Sequence, residues 1–172
     1  MRHSILAFSV LLVAGAMTPA YADNPMADAE TCLKQNPDTG LAACDRLIKG
    51  KGRRLTAELR ATLYAARGNI QAWKADYAGA ITDFSEAINL DPKSSVAYAS
   101  RGHALNMKGD YDRAIDDLDK AIRFDPGHAY SYANRGLAFL SKKENDRAIR
   151  DLSEAIRLDP RYLMAYQNRA IV

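Results

Sequence analysis

From residue 61 onward, apolar and small residues recur with a period of 34 residues. Residues 61–94, 95–128 and 129–162 align without a gap, and the second and third units are identical at 17 of 34 positions. Within a unit, positions 4, 7, 8 and 11 share one helical face, and positions 20, 21, 24, 27 and 28 share another. Since one helix pair cannot bury its apolar faces alone, neighbouring pairs must stack. The pattern predicts an all-α fold, an α-solenoid of tandem antiparallel helix pairs.

Five of the columns that carry one residue type in every full unit define the pattern. Tyr occupies position 4, Arg position 7, Gly position 8, and Ala positions 20 and 27. The first three columns contain Tyr64, Tyr98, Tyr132 and Tyr166, then Arg67, Arg101, Arg135 and Arg169, then Gly68, Gly102 and Gly136. Small residues at positions 8 and 20 predict a close approach of the two helices. Each unit closes on Asp-Pro, which ends the second helix because proline disfavours helical geometry in the residue before it.

These columns resemble the tetratricopeptide repeat family, in a variant with Arg-Gly at positions 7 and 8. The resemblance covers 61–94, 95–128 and 129–162 as three full repeats, and 163–172 as the first helix of a partial fourth. It departs from the motif at position 17 of the third repeat, where Asn145 replaces the tyrosine that the first two repeats have as Tyr77 and Tyr111. The resemblance implies a superhelix that recognises proteins through a concave face lined by the first helices.

Residues 23–60 keep a helix-pair pattern without the motif, so we interpret them as an N-terminal cap or a degenerate repeat. Cys32 and Cys44 are the only cysteines, and an even count favours a disulfide in an oxidising compartment. It would join helices at about 26–35 and 39–49, with Asp38 or Thr39 capping the second. A redox-active pair is the alternative, although Cys-x-x-Cys spacing is missing.

The first 22 residues read as a secretory signal peptide. A basic start at Arg2 precedes the apolar run 5–16, and Ala20-Tyr21-Ala22 presents small residues for cleavage after Ala22. An uncleaved anchor is the weaker alternative, because the run is too short to span a bilayer. We therefore expect a periplasmic or secreted protein whose mature chain has no membrane span.

Charge and composition bear on the partner class. The chain has 172 residues, with 24 Lys and Arg against 21 Asp and Glu, and removal of Arg2 lowers the formal net charge from +3 to +2. Charges of both signs interleave, which argues against nucleic acid as a partner. No phosphate-binding loop or nucleophile motif occurs, and His103 and His128 lack ligand neighbours at metal-binding spacing. We expect no enzyme activity, no metal and no cofactor.

Two columns of opposite charge predict structural ion pairs. The arginines at position 7 lie opposite a recurring Asp at position 23 of the second helix. The predicted pairs are formed by Arg67, Arg101 and Arg135 with Asp83, Asp117 and Asp151. An anion-binding role for the arginines is the alternative.

The predicted binding groove consists of polar and apolar side chains on the inner faces of the first helices. Its residues are Asn69, Trp73, His103, Asn106, Met107, Tyr130, Asn134, Leu137, Leu140 and Asn168. The apolar ones would hold partner side chains, and the asparagines would bond an extended backbone. Trp73 could instead pack against the N-terminal segment. The basic clamp by which some family members hold a terminal carboxylate is missing here.

These observations predict a non-enzymatic adaptor that binds an extended or helical segment of a protein partner. The alternative is a self-associating structural or envelope-assembly factor. It would use the C-terminal edge, where Leu163, Met164, Ile171 and Val172 are apolar, and would form a homo-oligomer. That short helix could equally be a cap over the last repeat.

Overall fold

The computed structural model describes residues 25–50 and 55–172, so the predicted signal peptide lies outside the described residues. Within these two ranges all regular secondary structure is helical. The helices, in chain order, are α1 Pro25–Leu33, α2 Gly40–Lys49, α3 Ala57–Trp73, α4 Tyr77–Leu90, α5 Ser95–Met107, α6 Tyr111–Phe124, α7 Ala129–Ser141, α8 Asn145–Leu158 and α9 Leu163–Arg169.

The helices form antiparallel pairs that stack side by side into a solenoid. The pairs are α1 with α2, α3 with α4, α5 with α6 and α7 with α8, and α9 packs on the last of them. Adjacent first helices (α1, α3, α5, α7, α9) approach one another more closely than adjacent second helices do. The stack therefore curves with the first helices on its inner side, as repeats that contact only their neighbours do.

Side-chain caps set the start of several helices. Thr56 Oγ1 accepts a hydrogen bond from the backbone N–H of Leu59 at 3.2 Å, so α3 begins at Ala57, ahead of the repeat unit at 61. Asp76 caps α4 through the N–H of Gly79 at 3.0 Å, and Ser94 caps α5 in the same way. Each cap satisfies a backbone donor that has no partner inside the helix.

The turn inside each repeat takes one left-handed residue at the same register position. Ala75, Gly109 and Lys143 have φ angles of 61°, 81° and 63°. Left-handed backbone is strained for residues with a side chain, and only the second turn relieves that strain with glycine. These residues lie in the turns between α3 and α4, between α5 and α6, and between α7 and α8.

The two helices of each repeat approach closely at the glycine column. A Cβ placed on Gly102 would lie 2.7 Å from Leu118 Cγ, and one placed on Gly136 would lie 2.8 Å from Leu152 Cγ. Gly68 meets the ring of Phe84 in the same way. Glycine is needed here for space, because a Cβ at these distances would overlap the neighbouring side chain.

A disulfide joins α1 to α2. Cys32 and Cys44 are both fully buried, with their Cα atoms 4.9 Å apart. Beside them a core that includes Leu47, Leu63 and Ile70 packs this segment onto α3. The capping prediction was wrong, because neither Asp38 nor Thr39 caps α2 with its side chain. Asn36 Oδ1 instead accepts the backbone N–H bonds of both residues, at 2.9 and 3.2 Å.

Candidate functional site

The arginine column is held inside the fold. The guanidinium of each arginine in the three full repeats donates two parallel hydrogen bonds to one carboxylate on the second helix of its repeat, at 2.7–2.8 Å. These pairs are Arg67 with Asp83, Arg101 with Asp117, and Arg135 with Asp151. Such forked pairs are stronger and more directional than single bonds. We refer to them as the arginine ladder.

A third bond connects each ladder arginine to the preceding helix pair. Arg101 donates to Ser85 Oγ at 2.9 Å, Arg135 donates to Asp119 at 2.6 Å, and Arg67 donates to Asp45 on α2. The hydrogen bond to Asp83 is the main cause that raises the pKa of Arg67 above its ordinary value. Each guanidinium also lies over the tyrosine three residues earlier, as Arg101 does at 5.7 Å from the ring of Tyr98. These groups therefore join successive repeats and are occupied by internal partners.

The opposite side of the first helices carries the predicted groove. Trp73 is 80% exposed and Met107 is 48% exposed, at equivalent positions near the ends of α3 and α5. Trp73 therefore does not pack against the N-terminal segment, which was the alternative. Small residues such as Ala65 and Ser100 lie near the middle of the same two helices. We call the inner surface of α3, α5 and α7 the groove.

Two of the predicted groove asparagines are buried instead of exposed. Asn106 and Asn134 are 6% and 1% exposed. Asn106 Nδ2 donates to the backbone oxygen of Asn134 at 2.8 Å, and Asn134 Nδ2 donates to that of Tyr130 at 2.8 Å. The bond from Asn106 therefore holds α5 against α7, and the bond from Asn134 lies within α7. The other amide atom of Asn106, Oδ1, is buried without a hydrogen-bond partner among the described residues. The prediction that these amides bond a partner's backbone is wrong for their Nδ2 groups.

Other predicted groove residues surround this amide network. A ring nitrogen of His103 lies 2.9 Å from Asn134 Oδ1. The centroid of the Tyr130 ring lies 5.9 Å from that of His103 and 5.8 Å from that of His128. Burial raises the pKa of Tyr130 well above its ordinary value, so its hydroxyl stays neutral. The remaining predicted side chains are half-buried along the inner helices: Asn69, Leu137, Leu140 and Asn168.

A cavity of about 210 Å³ opens between the N-terminal halves of α3 and α5. Alanines and hydroxyl side chains form most of its wall, and its charged groups are Glu58 and Asp91. Glu58 precedes the first repeat unit, which begins at residue 61, so the repeat columns give no signal for it. In the repeat pattern Asp91 marks only the end of a helix, but its recurrence at Asp125 and Asp159 is a sequence signal for an acidic edge.

Comparison with family models places two segments in one family. Models described as tetratricopeptide repeat match residues 95–128 and 129–162. The chain is a tetratricopeptide repeat protein. Among curated protein sequences no match is found.

Solved structures show that this tetratricopeptide repeat protein shares its fold with others. MamA (41-end) from Desulfovibrio magneticus RS-1 has a TM-score of 0.71 at 21% identity, over 88% of this chain and 85% of that one. The second repeat domain of human RPAP3, in complex with an HSP70 peptide SGPTIEEVD, has a TM-score of 0.63 at 23% identity, over 67% and 96%. The first repeat domain of Spaghetti (RPAP3), bound to an HSP90 peptide SRMEEVD, has a TM-score of 0.64 at 20% identity, over 66% and 90%.

Across residues 25–50 and 55–172, no group of three or more His, Cys, Asp or Glu could hold a metal ion. In the same part of the tetratricopeptide repeat chain, no helix has the length and apolar character needed to cross a bilayer.

Proposed function

We propose that this protein is a binding module that holds a neutral or basic, largely apolar segment of a partner protein in its groove. The observation that carries the proposal is the lack of free charge on two of the three groove helices. In α5 and α7 the only charged side chains are Arg101 and Arg135, and both belong to the arginine ladder. The third helix, α3, adds Glu58 and Arg60 near its start. The groove therefore offers apolar and small side chains, on which apolar residues of a partner gain the most from burial.

The acidic edge of the cavity narrows the class of partner. Glu58 and Asp91 both line it, so a carboxylate entering the cavity would be repelled and a Lys or Arg would be attracted. The repeat domains of RPAP3 bind peptides that end in EEVD. We expect this chain to disfavour such tails, because its ladder arginines are already bonded to carboxylates on the other side of the first helices and the residues that line the cavity include no Lys or Arg.

The sequence and the disulfide together support a secreted location. A signal peptide with cleavage after Ala22 would deliver the chain to the periplasm or outside the cell, where the Cys32–Cys44 bond is stable. We propose that the protein works there by non-covalent recognition, without catalysis. N-terminal sequencing of the protein recovered from a periplasmic extract tests this location: a start at Asp23 supports it, and an intact Met1 contradicts it.

Trp73 provides a direct assay for groove binding. It is the only tryptophan in the sequence and is 80% exposed, so its fluorescence should shift to shorter wavelength when an apolar segment covers it. The experiment selects short random peptides on the purified chain and titrates the enriched ones. We expect apolar sequences with Lys or Arg to be enriched over peptides ending in EEVD.

A matched pair of variants checks that the groove is responsible. Met107→Ser removes an exposed groove side chain, and we expect the selected peptides to bind about tenfold more weakly. Phe124→Ser removes a side chain of similar exposure, 42%, from the end of α6, outside the groove, and should leave this binding unchanged. Preferential enrichment of acidic tails, or equal effects of the two variants, would contradict the proposal.

A further inference from the structure

A small cavity opens on the ladder side of the second repeat, away from the groove. It has a volume of about 170 Å³ and lies along α6, next to the ladder arginine of α5. We call it the ladder cavity. Every residue that lines it is charged: Arg101, Arg113, Asp116, Asp117 and Lys120. Three cationic side chains therefore share the cavity with two carboxylates, which leaves one net positive charge on its wall.

The cations of the ladder cavity are not fully paired. Asp117 is 4% exposed, and both of its oxygens accept hydrogen bonds from Arg101. Lys120 forms no salt bridge with any carboxylate in the described part of the chain, although Asp116 lies four residues before it. Its Nζ lies 5.4 Å from the centre of the Tyr98 ring, and Arg101 Cζ lies 5.7 Å from the same centre. Since like charges repel, an anion that entered the cavity beside both cations would offset this cost.

The position of Lys120 distinguishes the second repeat from its neighbours. The first repeat has Glu86 at this position, and the third repeat has Glu154. Both neighbours therefore place a carboxylate where the second repeat has a cation. The difference lies in the middle of the solenoid, between repeats of the same design.

The third bond of the ladder arginine differs in the same direction. Arg67 and Arg135 each donate to a second carboxylate, on the preceding helix pair. Arg101 instead donates to Ser85 Oγ at 2.9 Å, so it has one carboxylate partner where its counterparts have two. The second repeat thus lacks two negative groups that the other full repeats contain at these places.

We propose that the ladder cavity binds the carboxylate of an Asp or Glu side chain of a partner protein. One carboxylate matches the single net positive charge of the wall. A phosphate group carries about two negative charges, and Asp116 and Asp117 would repel it more strongly. The ladder cavity is separate from the groove on the inner faces of the first helices. This inference therefore does not depend on the groove function.

The cavity has donors that its internal bonds leave free. Arg113 donates one hydrogen bond to Asp110 at 3.0 Å, and its side chain is 64% exposed. Arg101 uses three of the five N–H groups of a guanidinium for the bonds described above, so two remain. With the ammonium of Lys120, these groups would give a bound carboxylate charge-assisted hydrogen bonds, which are stronger than neutral ones.

The test titrates the full chain with a short peptide that carries one carboxylate, acetyl-Ala-Glu-Ala-amide, at constant ionic strength. NMR spectra record the Nε–H signals of Arg101 and Arg113. We expect saturable shifts of both signals at millimolar peptide, since one partly exposed ion pair contributes little free energy. The matched probe acetyl-Ala-Gln-Ala-amide has the same size without the charge and should cause no saturable shift.

Two variants give the second repeat the chemistry of its neighbours, so both should fold. Lys120→Glu introduces the residue type of the first and third repeats, and Ser85→Asp gives Arg101 a second carboxylate. Each should weaken binding of the glutamate peptide about tenfold, because a charge-assisted bond is lost or its donor is occupied. Lys93→Glu makes the same charge change at an exposed turn residue after α4 and should leave binding unchanged.

Four results would overturn the proposal. The first is equal weakening by Lys120→Glu and Lys93→Glu, which would mean that only the overall charge matters. The second is an equal saturable shift with the glutamine peptide, and the third is a complete lack of binding by the glutamate peptide. The fourth is tighter binding of inorganic phosphate than of the glutamate peptide at the same ionic strength, which would assign the cavity to a different class of anion.

Discussion

The two sides of the first helices differ in how their polar groups are used. On the ladder side of α5, Arg101 meets two oxygens of Asp117 at 2.7 and 2.8 Å, and its side chain is only 19% exposed. On the groove side of the same helix, Met107 is 48% exposed. One helix thus separates structural contacts from surface that is available for binding. Changes on the ladder side should alter stability, and changes on the groove side should alter recognition.

The largest expected effect is the loss of a ladder arginine. Arg101→Ala leaves Asp117, 4% exposed, without its partner, and a buried charge that loses its partner is costly. We expect the free energy of unfolding to fall by about 3 kcal/mol. Urea denaturation measures this, with Arg123→Ala at an exposed site as the control, expected within about 0.5 kcal/mol. A similar loss in both variants would show that the ladder contributes no special stability.

A smaller effect is expected where the two helices of a repeat touch. Gly102→Ala places a Cβ 2.7 Å from Leu118 Cγ and 3.2 Å from the backbone oxygen of Ala114. The helices must separate slightly, and the gain in helix propensity offsets part of that cost. We expect a net loss of about 1–2 kcal/mol in unfolding free energy.

The control for this substitution is Gly127→Ala, whose Cβ would lie 3.4 Å from Asp125 Oδ1 in an exposed turn. Thermal unfolding of both variants gives the comparison. A Gly102→Ala protein as stable as the control would mean that the helix pair adjusts without cost, and that this side of α5 is less tightly determined than the ladder suggests.

The smallest expected effect lies in the groove. Met107→Ser removes a side chain that is 48% exposed, so the unfolding free energy should change by less than about 0.5 kcal/mol, although peptide binding weakens. The same denaturation series measures this. If Met107→Ser destabilised the protein as much as Gly102→Ala does, the groove side would be part of the core and the contrast between the two sides would be lost.

Much of the fold could be predicted from the repeat columns, and less of the site. Tyr98, Arg101, Gly102 and Asp117 recur at fixed spacing because each makes the same contact in every repeat. The groove residues do not recur in this way, since Trp73 is followed by Met107 and then Ser141 at the same position. Their burial depends on what the neighbouring helix places beside them, as the hydrogen bond from Asn106 to Asn134 shows.

The amino-acid sequence by itself determined the helix pairs, their period, the arginine–aspartate pairing and the candidate disulfide, because these depend on local periodicity and on residues at constant separation. Only the tertiary structure decided which asparagines are buried and that Glu58 joins Asp91 at one cavity. Those properties depend on contacts between side chains of different repeats. The spacing of residues within one repeat does not determine these contacts.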